Sequence, residues 1–188
     1  LSIGILAPQI SFLVALDLVP ILYYGPPNGG GAEETEAWTE TILSTLGMAE
    51  VEAKDLSRHL DDETGLPSSR LVRTILRTAR KGTVPILGIP DLAETRSELI
   101  RALRPLKIVR VSERGGLRGP NGDLLEYFNL AAEDRLFPNV AAEDLPFVLE
   151  VAPILAEMGP RAGIQISAPG SLLGELFLVR GTGTYLKR

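Results

Sequence analysis

Cysteine is absent from the 188 residues. That excludes disulfides, zinc–thiolate centres and thiol nucleophiles, and it says little about compartment, because a chain without thiols suits reducing and oxidising surroundings alike. Histidine is almost absent. His59 stands alone in the polar run 54–63, so a metal site would have to be built from carboxylates, and none is expected. A basic excess is missing too: 19 lysines and arginines face 24 aspartates and glutamates, a net charge of −5. Without a positive field, nucleic acid is not an expected partner. Long apolar runs are also lacking. The best candidate, residues 12–24, is interrupted by Asp17 and Pro20 and falls short of the roughly 20 apolar residues a membrane helix needs. No membrane partner is expected. The first residues carry neither a basic segment nor an arginine-rich leader, so a targeting peptide is expected to lie outside this chain, whose abrupt start reads as a trimmed domain.

The length that is present suits one domain, 1–188, able to bury a core without disulfides or metal. Glycine (19) and proline (14) punctuate it at regular intervals. Residues 1–6 read as a short buried strand stopped by Pro8, residues 10–18 as a helix, and 19–24 as a second strand, which together predict a parallel β-α-β unit. A glycine-rich connector follows at 25–31, then a helix over 33–46. Residues 51–67 are polar and read as surface loop, with Leu66-Pro67-Ser68 as a helix entry. The spacing predicts a helix over 69–81, with Leu71, Val72, Ile75, Leu76 and Ala79 on one face, arginines on the other, and Gly82 at its end.

Beyond it come a strand at 83–90, a helix over 91–104 with Leu92, Leu99, Ile100 and Leu103 inward, and a strand at 105–111. A turn at 112–118 and the sequence Gly119-Pro120-Asn121-Gly122 lead to a further strand at 124–128. Residues 144–158 predict a helix with Pro146 in its first turn and Pro153 as a kink. Residues 162–167 predict a strand. Repeated strand–helix units argue an α/β fold, a three-layer α/β/α sandwich around a mainly parallel sheet.

Four places invite a functional reading. The glycine run 25–31 follows a strand, as a phosphate loop does, but it holds no Lys, Ser or Thr, and the next helix opens with Glu33, Glu34 and Glu36, which repel phosphate. It reads as a linker. Arg70, Arg73, Arg77 and Arg80 could hold an anion or form a solvated basic face. Gly115-Gly116 at a strand's carboxyl end permits close approach of a ligand, and equally suits a hairpin turn. Finally, Leu172, Leu173, Leu176 and Phe177 make one apolar helix face that delivers Glu175 to the turn Gly181-Thr182-Gly183-Thr184. Glycine freedom and threonine hydroxyls there suit a small-molecule site, and the same residues suit the ordinary ending of an α/β domain.

Glu175-Leu176-Phe177, three residues, then Gly181-Thr182-Gly183-Thr184 resembles the end of the amino-acid kinase domain in the N-acetylglutamate kinase and N-acetylglutamate synthase family. A second specific likeness runs through Arg104-Pro105-Leu106-Lys107-Ile108, Gly115-Gly116-Leu117-Arg118 and Asn129-Leu130, as in synthases of the mitochondrial type. The resemblance is specific over 84–187 and weak before it. It implies an amino-acid kinase-like fold with shortened loops near 7–10, 25–31 and 89–96. It also implies an arginine effector pocket containing Glu175 and Gly181, with Thr182 and Gly183 beside them.

The sequence departs from active kinases of the family in two ways. Tyr24-Gly25-Pro26-Pro27 stands where they carry His-Gly-Gly-Gly, and the Gly-Gly-Met and lysine motif before helix 144–158 is missing. The resemblance therefore implies no catalytic residues and no cofactor in this domain, and a regulatory and assembly role within a synthase. Acetyl-coenzyme A and L-glutamate would react in a separate acetyltransferase domain outside this chain, the first step of arginine biosynthesis. Arginine as allosteric effector, a homo-oligomer and the mitochondrial matrix are implied in the same way. Two alternatives stay open: an active ATP-dependent N-acetylglutamate kinase, for which only Lys107 and Gly29 to Gly31 are candidates, and a purely structural oligomerisation domain.

Overall fold

The computed structural model describes residues 3–25, 31–60, 66–89, 92–130, 139–159, 161–177 and 182–187. The chain divides into two compact units, Ser2–Leu103 and Arg104–Arg188, each built around its own sheet.

In the first unit the elements run α1 (Ile3–Ala15), β1 (Leu22–Tyr24), α2 (Ala32–Met48), β2 (Ala53–Asp55), α3 (Ser69–Ala79), β3 (Val84–Gly88) and α4 (Leu92–Leu103). The sheet order is β1-β3-β2, and both pairings are parallel. β3 is central and buried along its whole length, which is why its sequence is a continuous apolar run rather than an alternating one. Pro85 is tolerated there for a positional reason. Val84 N–H donates to Glu52 O at 2.8 Å and Leu56 N–H to Ile86 O at 2.9 Å, so Pro85 faces the β1 side, one residue before the Leu22–Ile86 register begins. Its missing N–H leaves no ladder bond unmade. Leu56, Leu71, Ile75, Leu87, Ile89 and Leu99 form the core, with Tyr23 and Leu103 packed against it.

α3 begins where Leu66-Pro67-Ser68 predicts. The Ser68 side chain accepts from Leu71 N–H at 3.1 Å, Leu71, Ile75 and Thr78 are buried, and Arg70, Arg73, Arg77 and Arg80 are exposed. Gly82 follows at φ +85°, its N–H donating to Ala79 O at 3.0 Å.

Two expectations for this unit are corrected. Residues 3–6 are helix, not strand, and Pro8 lies inside α1. The buried set Ile3, Leu6, Ala7, Ile10 and Leu13 keeps helical spacing straight through the proline. Pro8 and Gly4 both lie on the exposed side, so the Gly4 carbonyl that Pro8 cannot serve faces solvent. The β-α-β opening therefore lacks its first strand among the described residues. The supposed loop 51–67 contains β2 and a 3₁₀ turn, Ser57–His59, that carries the lone histidine. A three-residue edge strand reading Ala-Lys-Asp has no apolar pattern to announce it, and only its partner β3 defines it.

The second unit runs β4 (Lys107–Val111), β5 (Tyr127–Asn129), α5 (Leu145–Met158), β6 (Gly163–Ser167), α6 (Leu172–Phe177) and β7 (Thr184–Lys187). Its sheet order is β4-β6-β7-β5, parallel at β4–β6 and β5–β7 and antiparallel at β6–β7. Parallel pairing thus dominates the α/β fold, as expected, although the strands are shared between two sheets. α5 buries Val148, Val151, Ala152, Ile154 and Leu155, with Pro146 in its first turn and Pro153 inside it. The turn Gly119–Gly122 closes through an Arg118–Leu124 antiparallel bridge, while the strand beyond it pairs with β7 instead.

Candidate functional site

Because β4 and β6 are parallel and β7 runs against β6, the carboxyl ends of β4 and β6 and the amino end of β7 share one edge of the second sheet. Open α/β sheets bind ligands at such an edge. Four described residues of this unit are buried and polar, each less than a tenth exposed: Ser167 and Thr184 at that edge, Gln165 in the middle of β6 and Glu175 on α6.

Glu175 is the centre of the group, only 4% exposed. Its Oε1 accepts from the Gly183 N–H at 2.7 Å, from the Thr182 Oγ1 at 3.2 Å and, in a short bond, from the Thr182 N–H. Its Oε2 accepts from Gln165 Nε2 at 2.5 Å. A buried carboxylate is costly unless hydrogen-bonded, and here both oxygens are engaged. All of these donors are uncharged. Lys107 reaches the same helix but takes a different atom: its Nζ donates to the Glu175 backbone carbonyl at 3.2 Å, where a cation suits the carbonyl end of α6.

The Gly115-Gly116-Leu117 loop closes on this group from the end of β4. Gly115 has φ +73°, a conformation that favours glycine. At Gly116 a Cβ would stand 2.5 Å from Leu124 Cδ1 and 2.6 Å from Thr184 Oγ1. Leu117 N–H donates to Thr184 Oγ1 at 2.8 Å. At Gly183 a Cβ would run into the Ile166 carbonyl oxygen and stand 2.9 Å from that of Gly115. The two glycine-containing stretches singled out in the sequence therefore touch. Arg118 continues the loop outward, its N–H donating to Asp144 Oδ2 at 2.9 Å at the start of α5.

Of the four candidate residues, Glu175, Thr182 and Gly183 come together, and Gly181 lies outside the described residues. Thr182 is exposed and Gly183 buried, so the described part of the turn runs from solvent into the interior while bonded to the carboxylate. Thr184 enters the sequence reading of the site only as a hydroxyl of that turn, and Gln165 does not enter it at all. A polar residue in the otherwise apolar run Gly163-Ile164-Gln165-Ile166 was the available signal for Gln165, since a buried amide needs a partner.

The carboxyl edge of the first sheet carries a second polar group. Asp55 Oδ1 accepts from Ser57 N–H at 2.8 Å and Ser57 Oγ at 2.5 Å, and Ser57 Oγ accepts from Gly88 N–H at 2.7 Å. Tyr24, the residue before the glycine connector, donates its hydroxyl to Thr35 O at 2.8 Å and makes a short bond with Thr39 Oγ1. Burial pushes the Tyr24 phenol above its ordinary range, opposed by the Thr39 bond and aided by the negative charge of Asp55. Of the connector, only Gly25 and Gly31 are described, Gly31 as the N-cap of α2. Gly29 and Gly30 lie outside the described residues. Among the described residues, no group of three or more acidic or histidine side chains is placed to hold a metal ion, and no helix is long and apolar enough to cross a membrane.

No family model matches the chain. Sequence relatives do. Human mitochondrial N-acetylglutamate synthase is 29% identical over 165 residues, covering 86% of this chain and 29% of the human protein. Acetylglutamate kinase of Xanthomonas campestris is 27% identical over 153 residues, covering 73% of this chain and 35% of the kinase. The chain thus spans about a third of the length of these relatives. Among solved structures, N-acetylglutamate synthase of Neisseria gonorrhoeae with coenzyme A and N-acetyl-glutamate superposes at a TM-score of 0.77, with 17% identity, over 99% of this chain and 56% of that one. The same enzyme with coenzyme A and L-arginine gives 0.72, with 16% identity, over 98% and 57%. The chain has an amino-acid kinase-like α/β fold, and its sequence is related to the N-acetylglutamate synthases, whose amino-acid kinase-like domain it resembles.

Proposed function

We propose that this chain is the arginine-sensing regulatory and assembly domain of an N-acetylglutamate synthase, without kinase activity of its own. The observation that carries this reading is Glu175. It is a buried carboxylate whose donors among the described residues are all uncharged, beneath an exposed turn and against the Gly115-Gly116 loop. A guanidinium offers such a carboxylate a charge-assisted bond stronger than the neutral ones it would replace. Arginine takes over Oε1 from the turn donors. Its α-amino or carboxylate end meets the backbone of Gly181, Thr182 and Gly183. Displacing the turn shifts the start of β7, and binding then biases the domain between two arrangements with a coupling free energy of about 1–3 kcal/mol. L-arginine bound to the Neisseria synthase supports arginine as the ligand class.

In the parent protein, acetyl transfer from acetyl-coenzyme A to glutamate takes place in a separate acetyltransferase domain, with this domain in a homo-oligomer in the mitochondrial matrix. The mitochondrial naming of the human relative supports that compartment. The kinship with acetylglutamate kinases keeps a second reading in view, ATP-dependent phosphorylation of N-acetylglutamate. Against it stand Lys107, whose ammonium is bonded to the α6 carbonyl end, and Tyr24, whose hydroxyl is committed to Thr35 and Thr39.

The test is calorimetric titration of the chain with L-arginine and, separately, with ATP-Mg, for the wild type and Glu175→Gln. Saturable arginine binding lost in Glu175→Gln, with ATP silent, is the expected result. ATP binding without arginine binding would overturn the reading in favour of the kinase. Silence toward both would leave the structural oligomerisation domain.

A further inference from the structure

Gln165 lies in the middle of β6, paired with Tyr185 of β7, and both it and Glu175 are less than a tenth exposed. Its amide nitrogen holds Glu175 Oε2 at 2.5 Å, while the donors of the described part of the turn, from Thr182 and Gly183, go to Oε1. The two carboxylate oxygens are thus divided, one bound to the rigid sheet and one to the turn. A free carboxylate rotates about its last torsion and offers both oxygens to a fork of donors. This one is held in a single orientation from below.

We propose that Gln165 is a positioning residue for the arginine site, resting on the reading above: it anchors Oε2 to β6 so that Oε1 alone serves the Thr182–Gly183 turn. Two consequences follow from that division. With Oε2 tied to β6, a guanidinium that pairs bidentately with Glu175 has to share that oxygen with the Gln165 amide, for which a carboxylate oxygen has a second lone pair. At Oε1, which already accepts from the Thr182 N–H, the Thr182 hydroxyl and the Gly183 N–H, the guanidinium competes directly with the turn, so ligand binding and turn displacement become one event. The amide of Gln165 also satisfies the buried carboxylate without neutralising it, leaving a negative charge for a cationic ligand to read.

The experiment uses the 188-residue chain in three forms: wild type, Gln165→Glu, and the exchanged pair Gln165→Glu with Glu175→Gln. Gln165→Glu sets carboxylate against carboxylate. Amide hydrogen exchange at Thr182 and Gly183 is expected to accelerate about tenfold or more in that variant, the scale of one lost buried hydrogen bond. The exchanged pair restores a donor facing an acceptor, with a carbonyl at position 175 still serving the turn. Exchange there returns to within a few-fold of wild type, while arginine affinity, read by calorimetry, stays lost because the charge has moved down to position 165. A merely structural role would not separate these two readouts.

Unchanged turn exchange in Gln165→Glu would overturn the proposal, as would failure of the exchanged pair to restore protection while the β4 amides of the same unit stay protected. Wild-type-like arginine affinity in the exchanged pair would also overturn it. If the wild type binds no arginine, the functional reading fails by itself, and the exchange rates alone decide whether Gln165 positions Glu175.

Discussion

Glu175 Oε1 accepts the Gly183 N–H at 2.7 Å across eight positions of sequence, tying the short helix α6 to the entry of β7. The contact is made possible by the smallness of residue 183. A side chain there would meet the Ile166 and Gly115 carbonyl oxygens before the turn could close on the carboxylate.

Gly183→Ala is therefore expected to destabilise the chain by about 3 kcal/mol, because neither backbone oxygen can yield without disturbing β6 or the Gly115 loop. Urea unfolding of the variant measures this. A loss below about 0.5 kcal/mol, typical of an unconstrained surface site, would show that the turn does not sit against β6.

Removing the carboxylate altogether strands its donors. Glu175→Ala leaves Gln165 Nε2 and the Thr182 and Gly183 amides without their acceptor, and an expected cost of roughly 2–5 kcal/mol follows from unsatisfied buried donors and the cavity. Glu175→Gln keeps a carbonyl for the turn and is expected to cost far less. Chemical denaturation of the two variants side by side checks the ordering.

Thr184→Val tests the link between the two glycine stretches. The substitution preserves shape and deletes the acceptor of the buried Leu117 N–H, for an expected loss of about 1–3 kcal/mol. Exchange of the Leu117 amide should rise in the variant, and an unchanged rate would count against the link.

Tyr24 supplies a pH dependence in the other unit. Its folded-state pKa lies above the ordinary 10.0 chiefly because burial disfavours the phenolate. A raised acid pKa means that the unfolded chain ionises first. The stability this contributes is fully present below the unfolded pKa and is lost as pH rises through the folded one. The stability difference between wild type and Tyr24→Phe is expected to be constant at neutral pH and to shrink above about pH 10. Thermal melts of both proteins from neutral to alkaline pH measure it.

The elements with strong local patterns were readable from the residues alone. α3 declares itself by Ser68, by the Leu71–Ile75 face and by Gly82. β3 and β6 declare themselves as short apolar runs bounded by breakers. The start of the chain misleads because Leu-Ser-Ile-Gly-Ile-Leu fits a strand as well as a helix, and Pro8 looks like a stop when only its exposed side shows that it is not. β2 is invisible because an edge strand takes its identity from the neighbour it pairs with.

At the candidate site the sequence by itself determined the local chemistry: a carboxylate on a short apolar helix, a glycine–threonine turn after it, and a paired-glycine loop elsewhere. Spacing along a helix and the backbone freedom of glycine are properties of neighbouring residues, so they survive without a fold. Only the tertiary structure decided that these pieces meet, that Leu117 bonds to a threonine 67 positions away, and that Gln165 holds the far oxygen of Glu175. Burial is what makes those bonds matter. Water satisfies a polar group on an open chain, whereas inside the second unit each donor must find its acceptor in the protein.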